Sequence, residues 1–279
     1  MPKLGIIAGL GDLPVSIAEA RTAGGDEVYV ARLAGFEEKQ LESYAGTTVG
    51  IGQIGRLIKT FKAERCEEVV FAGIVKRPNF SDIKLDLRGA KLLPRVLKAA
   101  RNGDDALLRV IVEELESEGF KVIAAEDAAS DLKAGAGVLF GPAPSEEAIA
   151  DMKKAAKIAG EIGRLDIGQG AVVCDGLILA VEAQEGTDRM LERVAGLEPE
   201  IRGRRGKAKG VLVKRPKPIQ ERRIDLPTIG PDTVRRAADA GLSGIGVEAG
   251  GALLLNRTDI GKLCQETGIF VYGFPVEWE

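Results

Sequence analysis

The sequence contains no histidine at all. That one absence excludes Ser-His-Asp triads, Cys-His pairs, imidazole general bases and histidine-ligated metals. Cysteine is scarce as well: Cys66, Cys174 and Cys264 lie far apart, form no CxxC, and read as reduced thiols filling small core positions. Any bound metal must then be hard and oxygen-ligated, Mg2+ or Mn2+. Aromatic residues are 4% of the chain, too few for a base-stacking platform. The formal net charge of −3 carries no global nucleic-acid signature. No window approaches the roughly 18 apolar residues of a spanning helix. The apolar run after Met1-Pro2-Lys3 is too short for a signal peptide before Asp12 intervenes. These absences point to a cytoplasmic protein, at most peripheral to a membrane, with no nucleic-acid partner.

What remains is a chain of 279 residues, 45% hydrophobic and 29% charged, enough for one large or two ordinary soluble domains. Its first half alternates strand-like and helix-like stretches. Leu4–Gly9, Glu27–Ala31, Val69–Gly73 and Phe120–Ala125 read as strands. Helical patterns fill Pro14–Ala23, Gln53–Ala63, Ala90–Ala100 and Asp104–Gly119. That rhythm predicts a Rossmann-like parallel-sheet domain over residues 1–130. Residues 131–144 turn rich in Gly, Ala and Pro, the composition of a linker or hinge. Ser145 then caps a helix with Glu146 and Glu147 in its first turn. Asp175-Gly176 between two apolar runs signals a tight hairpin. Residues 145–279 lack the βαβ rhythm and predict a mixed α+β domain, so the fold class is α/β with a smaller-rhythm second half.

Several stretches could carry chemistry. Gly9-Leu10-Gly11-Asp12 follows the first strand and opens a helix, where unpaired amides favour an anion. Pro14 replaces the third glycine of the dinucleotide fingerprint, and the second strand ends in Ala31-Arg32 without an acid, which disfavours a dehydrogenase. Gly73 and Lys76 sit beyond the next strong strand and could meet the same ligand. Gln169-Gly170 could bring amides to a ligand, or be a flexible loop. Thr187 and Asp188 open a helix, where Thr187 suits a cap and the pair also suits a sugar ring. Glu248, in a glycine-rich turn, is a candidate metal ligand.

The most unusual stretch is LVKRPKPIQERRIDLPTIGPDT, residues 212–233. From Arg202 to Arg223 ten Lys or Arg meet one acid, Glu221, a balance of +9 that leaves −12 for the rest of the chain. Four prolines stiffen the loop, which lowers the cost of holding cations around an anion. Lys214 stands at a strand end, and Asp225 among cations should stay ionised, able to ligate a metal or orient a water. A solvated, salt-bridged surface loop is the bland alternative.

Two stretches together resemble one family. Leu4–Pro14 looks like the N-terminal signature, and Lys214–Pro231 like the C-terminal one, of the LpxI-type UDP-2,3-diacylglucosamine pyrophosphatases of bacterial lipid A synthesis. Glu221 stands where the family more often has Asp, keeping the charge. The resemblance implies hydrolysis of UDP-2,3-diacylglucosamine to UMP and 2,3-diacylglucosamine 1-phosphate (lipid X), with water attacking the α-phosphorus and Mg2+ assisting. It implies two domains with the ligand between them, a homodimer, and contact with the inner membrane through a lipid-bearing substrate. By match, Asp225 is the essential acid. Lys214 would stabilise developing charge, Asp225 and Glu248 would hold the metal, and Gln220, Arg223, Thr228 and Thr233 join the substrate-binding candidates. A non-catalytic carrier of a nucleotide sugar or acidic lipid is the competing reading.

Overall fold

The structure is a computed structural model that describes residues 2–76, 83–101, 104–204, 206–218 and 226–278, without the side chains of 104 and 105. Three site candidates, Gln220, Arg223 and Asp225, lie outside the described residues. The chain divides between Asp131 and Leu132 into two compact units.

The N-terminal unit runs β1 (Leu4–Ala8), α1 (Asp12–Ala23), β2 (Val28–Leu33), β3 (Gly46–Val49), α2 (Ile54–Ala63), β4 (Glu68–Ala72), α3 (Leu87–Ala100), α4 (Asp104–Ser117), β5 (Lys121–Val122) and α5 (Ala125–Ala128). Its five strands are all parallel, in the order β3-β2-β1-β4-β5. β1 lies at the centre, so all five of its residues are buried and the strand reads as an unbroken apolar run. Ile54, Leu57, Ile58 and Phe61 recur at helical spacing on α2 and meet Ile7, Ala31 and Val69 of the sheet. Gly5 lets the ring approach closely: a Cβ there would sit 3.0 Å from the Phe61 ring. Arg21 of α1, 6% exposed, ties the unit together by reaching Asp26 at 3.1 Å and Glu68 at 3.0 Å.

The C-terminal unit runs β6 (Gly137–Phe140), α6 (Glu146–Arg164), β7 (Gly170–Cys174), β8 (Leu177–Val181), α7 (Gly186–Ala195), α8 (Pro199–Arg202), β9 (Gly203–Arg204), β10 (Lys207–Ala208), β11 (Val211–Lys214), β12 (Thr228–Ile229), α9 (Pro231–Asp239), β13 (Gly244–Glu248), β14 (Leu253–Leu254), α10 (Arg257–Thr267) and β15 (Phe270–Phe274). Its six-stranded sheet is ordered β6-β15-β13-β11-β7-β8. The three central strands are parallel, while β6, β7 and β8 pair antiparallel at the two edges. This is the mixed half that the sequence predicts.

Period-2 alternation gives that sheet two dry faces. Val172, Leu212, Val247 and Val271 face Met190 and Leu191 of α7, Val234 of α9 and Ile260 of α10. Ala171, Val173, Val213 and Phe274 face α6 through Met152, Ala155 and Ala159. The helix comes close enough that a Cβ on Gly246 would lie 2.7 Å from Met152. Ser145 caps α6 as expected, its hydroxyl accepting from the Ala148 amide at 3.2 Å.

The stretch expected as a linker, 131–144, differs from that reading. Ala134 donates to the Ala252 carbonyl at 2.9 Å, and β6 pairs with β15. Its glycines break helices, which is the signal composition reports, but Gly137 and Gly141 sit at φ 83° and 73° as the turns that bound an edge strand.

Candidate active site

In sheets with parallel central strands, ligands gather beyond the carboxyl ends of the strands. At that edge of the C-terminal sheet, β11 ends in Lys214 and β13 in Glu248. The antiparallel neighbours bring the start of β7, Gln169-Gly170, and the residue after β8, Glu182, to the same edge. Lys214 faces Gly170 directly across the β11–β7 ladder. Arg215 extends this ladder, its amide donating to the Gln169 carbonyl at 3.1 Å.

Lys214 is 7% exposed, and its ammonium donates to the Thr228 carbonyl at 3.2 Å. A buried ammonium carries three donors and is costly to desolvate, so holding one here means that charge is wanted at this edge. Thr228 belongs to β12, which leads through Gly230 into α9, with the buried Thr233 in its first turn. Five of the candidates therefore gather on this edge: Lys214, Gln169, Gly170, Thr228 and Glu248.

Glu248 is placed differently from the expectation of a metal ligand. It lies on the α6 face of the sheet, in alternation with Gly246, whereas Lys214 shares the opposite face with Leu212. Its carboxylate is 1% exposed and sits 2.8 Å from the Arg215 guanidinium, which also donates to the Ala156 carbonyl at 3.4 Å. The Arg215 pair gives this carboxylate a structural role beside α6. No group of three or more potential metal donors converges among the described residues. No chemical step is routed through a metal at Glu248.

Thr187 does not cap its helix. Glu185 occupies the N-cap of α7 without a side-chain bond, and the Thr187 hydroxyl points back to donate to Glu182 Oε1 at 3.1 Å. Asp188 is exposed and pairs with Arg236 of α9 at 3.5 Å. Much of the basic run also serves structure. Arg202 donates to the Leu197 carbonyl, Lys209 pairs with Asp175, and Lys217 reaches Asp166 at 2.8 Å. Lys214 differs in its burial, at the carboxyl end of a central strand.

The N-terminal loops do come together, as their positions beyond β1 and β4 predict. Leu10 and Ile74 exchange amide hydrogen bonds of 3.0 and 2.8 Å. The glycines serve that crossing: a Cβ on Gly9 would lie 2.6 Å from the Ile74 carbonyl, and Gly73 sits at φ 92° with its Cβ position 2.7 Å from the Leu10 carbonyl. The helix N-terminus expected to receive an anion receives one from the chain itself. Gly11 donates to the Glu38 carboxylate at 2.6 Å. Asp12 opens α1 beside it, and Lys76 is exposed. The N-terminal unit also holds an apolar pocket of about 250 Å3, lined by Ile7, Leu33, Ile54, Phe71, Leu92, Ile111 and their neighbours.

Sequence reasoning missed Glu38, Glu182 and the role of Arg215. For Glu38 and Arg215 the partners lie 27 and 33 residues away, Gly11 and Glu248, and nothing local marks them. Burial raises the thiols of Cys66, Cys174 and Cys264 to about 11, which fits the reading of inert core residues.

Comparison with known proteins agrees with this two-unit arrangement. The family model of the LpxI N-terminal domain matches residues 3–132, and that of the LpxI C-terminal domain matches 135–272. The protein named UDP-2,3-diacylglucosamine pyrophosphatase LpxI from Caulobacter vibrioides is 52% identical over 273 residues, covering 98% of each chain. With both domains matched in order and almost every residue aligned, this chain belongs to the LpxI family.

Proposed function

We propose that this chain hydrolyses UDP-2,3-diacylglucosamine at its pyrophosphate, giving UMP and 2,3-diacylglucosamine 1-phosphate for lipid A synthesis. The observation that carries the reading is Lys214, a buried ammonium fixed at a strand end inside the family's long C-terminal signature. The relative's name supports the substrate. The apolar pocket of the N-terminal unit supports an acylated one, since each methylene buried is worth about 0.8 kcal/mol.

In this reaction water forms a bond to the α-phosphorus, and the bond from that phosphorus to the bridging oxygen breaks. Negative charge grows on the departing sugar phosphate. Lys214 offsets charge developing on the phosphoryl group from a rigid mount, without reorganisation at the moment of reaction. Asp225 orients the attacking water. Mg2+ or Mn2+ assistance is part of the proposal and rests on Asp225. A cytoplasmic location, contact with the inner membrane through the lipid and a homodimer also belong to it; among the described residues no helix is long and apolar enough to cross a membrane.

Chromatographic detection of UMP from UDP-2,3-diacylglucosamine tests the activity. The wild type should release it, EDTA should suppress it and Mg2+ restore it, and folded Asp225→Ala should release none. Binding without UMP release, with or without Mg2+, would favour a carrier instead.

A further inference from the structure

Glu182 follows β8 by one residue, and its amide donates to the Gly170 carbonyl at 2.8 Å, adding a rung to the β7–β8 ladder. Gly170 in turn stands opposite Lys214 on β11. Glu182, Gly170 and Lys214 thus form one row across three strands. Directly opposed residues of antiparallel pairs project to the same face. The outer two are buried and carry opposite charge, and the middle one has no side chain.

The glycine is what opens the row. A Cβ on Gly170 would lie 2.6 Å from Glu182 Oε2, so the carboxylate extends over the place where any other residue would have a side chain. Neighbouring strands are about 4.8 Å apart, so the outer backbones stand roughly 10 Å from one another. The two charges are held by separate partners instead of by each other. Lys214 goes to the Thr228 carbonyl, and Glu182 Oε1 is fixed by Thr187. Glu182 Oε2 is buried and has no hydrogen-bond partner among the described residues. A buried acceptor left unmet is costly, and one held in place in the same row as a buried cation is a site waiting for a donor.

We propose that Glu182 and Lys214 form a slot for an O–H group over Gly170, with Glu182 Oε2 accepting its hydrogen and Lys214 facing its oxygen. The inference rests on the pyrophosphatase reading and adds a residue to that site. Two sources supply the same chemistry: a hydroxyl of the substrate's sugar, or the attacking water. In the water case Glu182 takes the proton as the oxygen bonds to phosphorus, and the electron pair of the broken P–O bond leaves with the sugar phosphate.

Glu182→Gln keeps the size of the side chain and an oxygen for Thr187 but removes the anionic acceptor. Steady-state UMP release from UDP-2,3-diacylglucosamine should change by roughly 10- to 100-fold. A rise in KM with kcat kept assigns the slot to a substrate hydroxyl; a fall in kcat with KM kept assigns it to the water. Both outcomes support the proposal. If both constants stay within about threefold of wild type, the slot is overturned while the pyrophosphatase reading stands. A wild type that releases no UMP sinks that reading instead. Gly170→Ala is the second variant and decides the case if Glu182→Gln unfolds. It pushes a methyl into the slot and leaves both charges, so a folded Gly170→Ala with full activity also overturns the proposal.

Discussion

Both units bring glycine-rich turns to the carboxyl ends of their strands, yet the two edges end in opposite conditions. In the N-terminal unit the edge is closed by the chain's own groups. Gly9 and Gly73 let two backbones cross, and Glu38 supplies the negative charge that the α1 N-terminus favours. In the C-terminal unit the edge keeps buried charge incompletely met, in Lys214 and Glu182. The difference teaches that a glycine turn at a strand end is not itself a ligand site. Unmet polarity marks the chemical edge, and apolar volume marks the other.

The largest test of this contrast is structural. Arg215→Ala would remove the guanidinium that meets the buried Glu248 carboxylate, and should cost about 3–5 kcal/mol of stability. Urea denaturation of the variant measures it; a loss below about 1 kcal/mol would show the pair to be solvated.

A second test separates the units by pH. The three thiols have folded pKa values near 11, above the ordinary 9.0, so the folded chain retains protons that the unfolded chain releases. Their contribution is full below about pH 9 and is lost as pH climbs from about 9 to 11, on the order of 2–3 kcal/mol per thiol. Cys66 lies in the N-terminal unit, and Cys174 and Cys264 in the C-terminal one. Hydrogen exchange across this range should show the C-terminal unit weakening more. Equal weakening would argue against the burial that causes the shifts.

The smallest effect probes the closed edge. Glu38→Gln should cost about 1 kcal/mol through the weakened bond to Gly11. KM should not move. A fall in KM would mean that Glu38 competes with the substrate, and the N-terminal edge would then be a ligand site after all.

The elements that sequence makes legible are those set by local signals. α6 begins behind Ser145 as the cap predicts, and Asp175-Gly176 turns at φ 49° and 75°. β3 and β6 escape because they are four-residue strands without a long apolar run. Lys214 is legible as a charge at a strand end; Glu182 is not. A two-residue turn alone would set Val181 opposite Gly170. A bulge between Val172 and Val173 shifts the register by one and brings Glu182 there. One extra residue in a strand, silent in composition, thereby decides which side chain lies beside Lys214. Pairs such as Arg215–Glu248 are likewise settled by tertiary packing.

The central claim is that the charge at the C-terminal edge performs the chemistry, and Lys214→Met tests it most directly. The substitution keeps an unbranched chain of similar length in the buried position and removes only the ammonium. UMP release from UDP-2,3-diacylglucosamine by the folded variant should fall about 10²- to 10³-fold in kcat. A folded Lys214→Met that turns over within about threefold of the wild type would contradict the account.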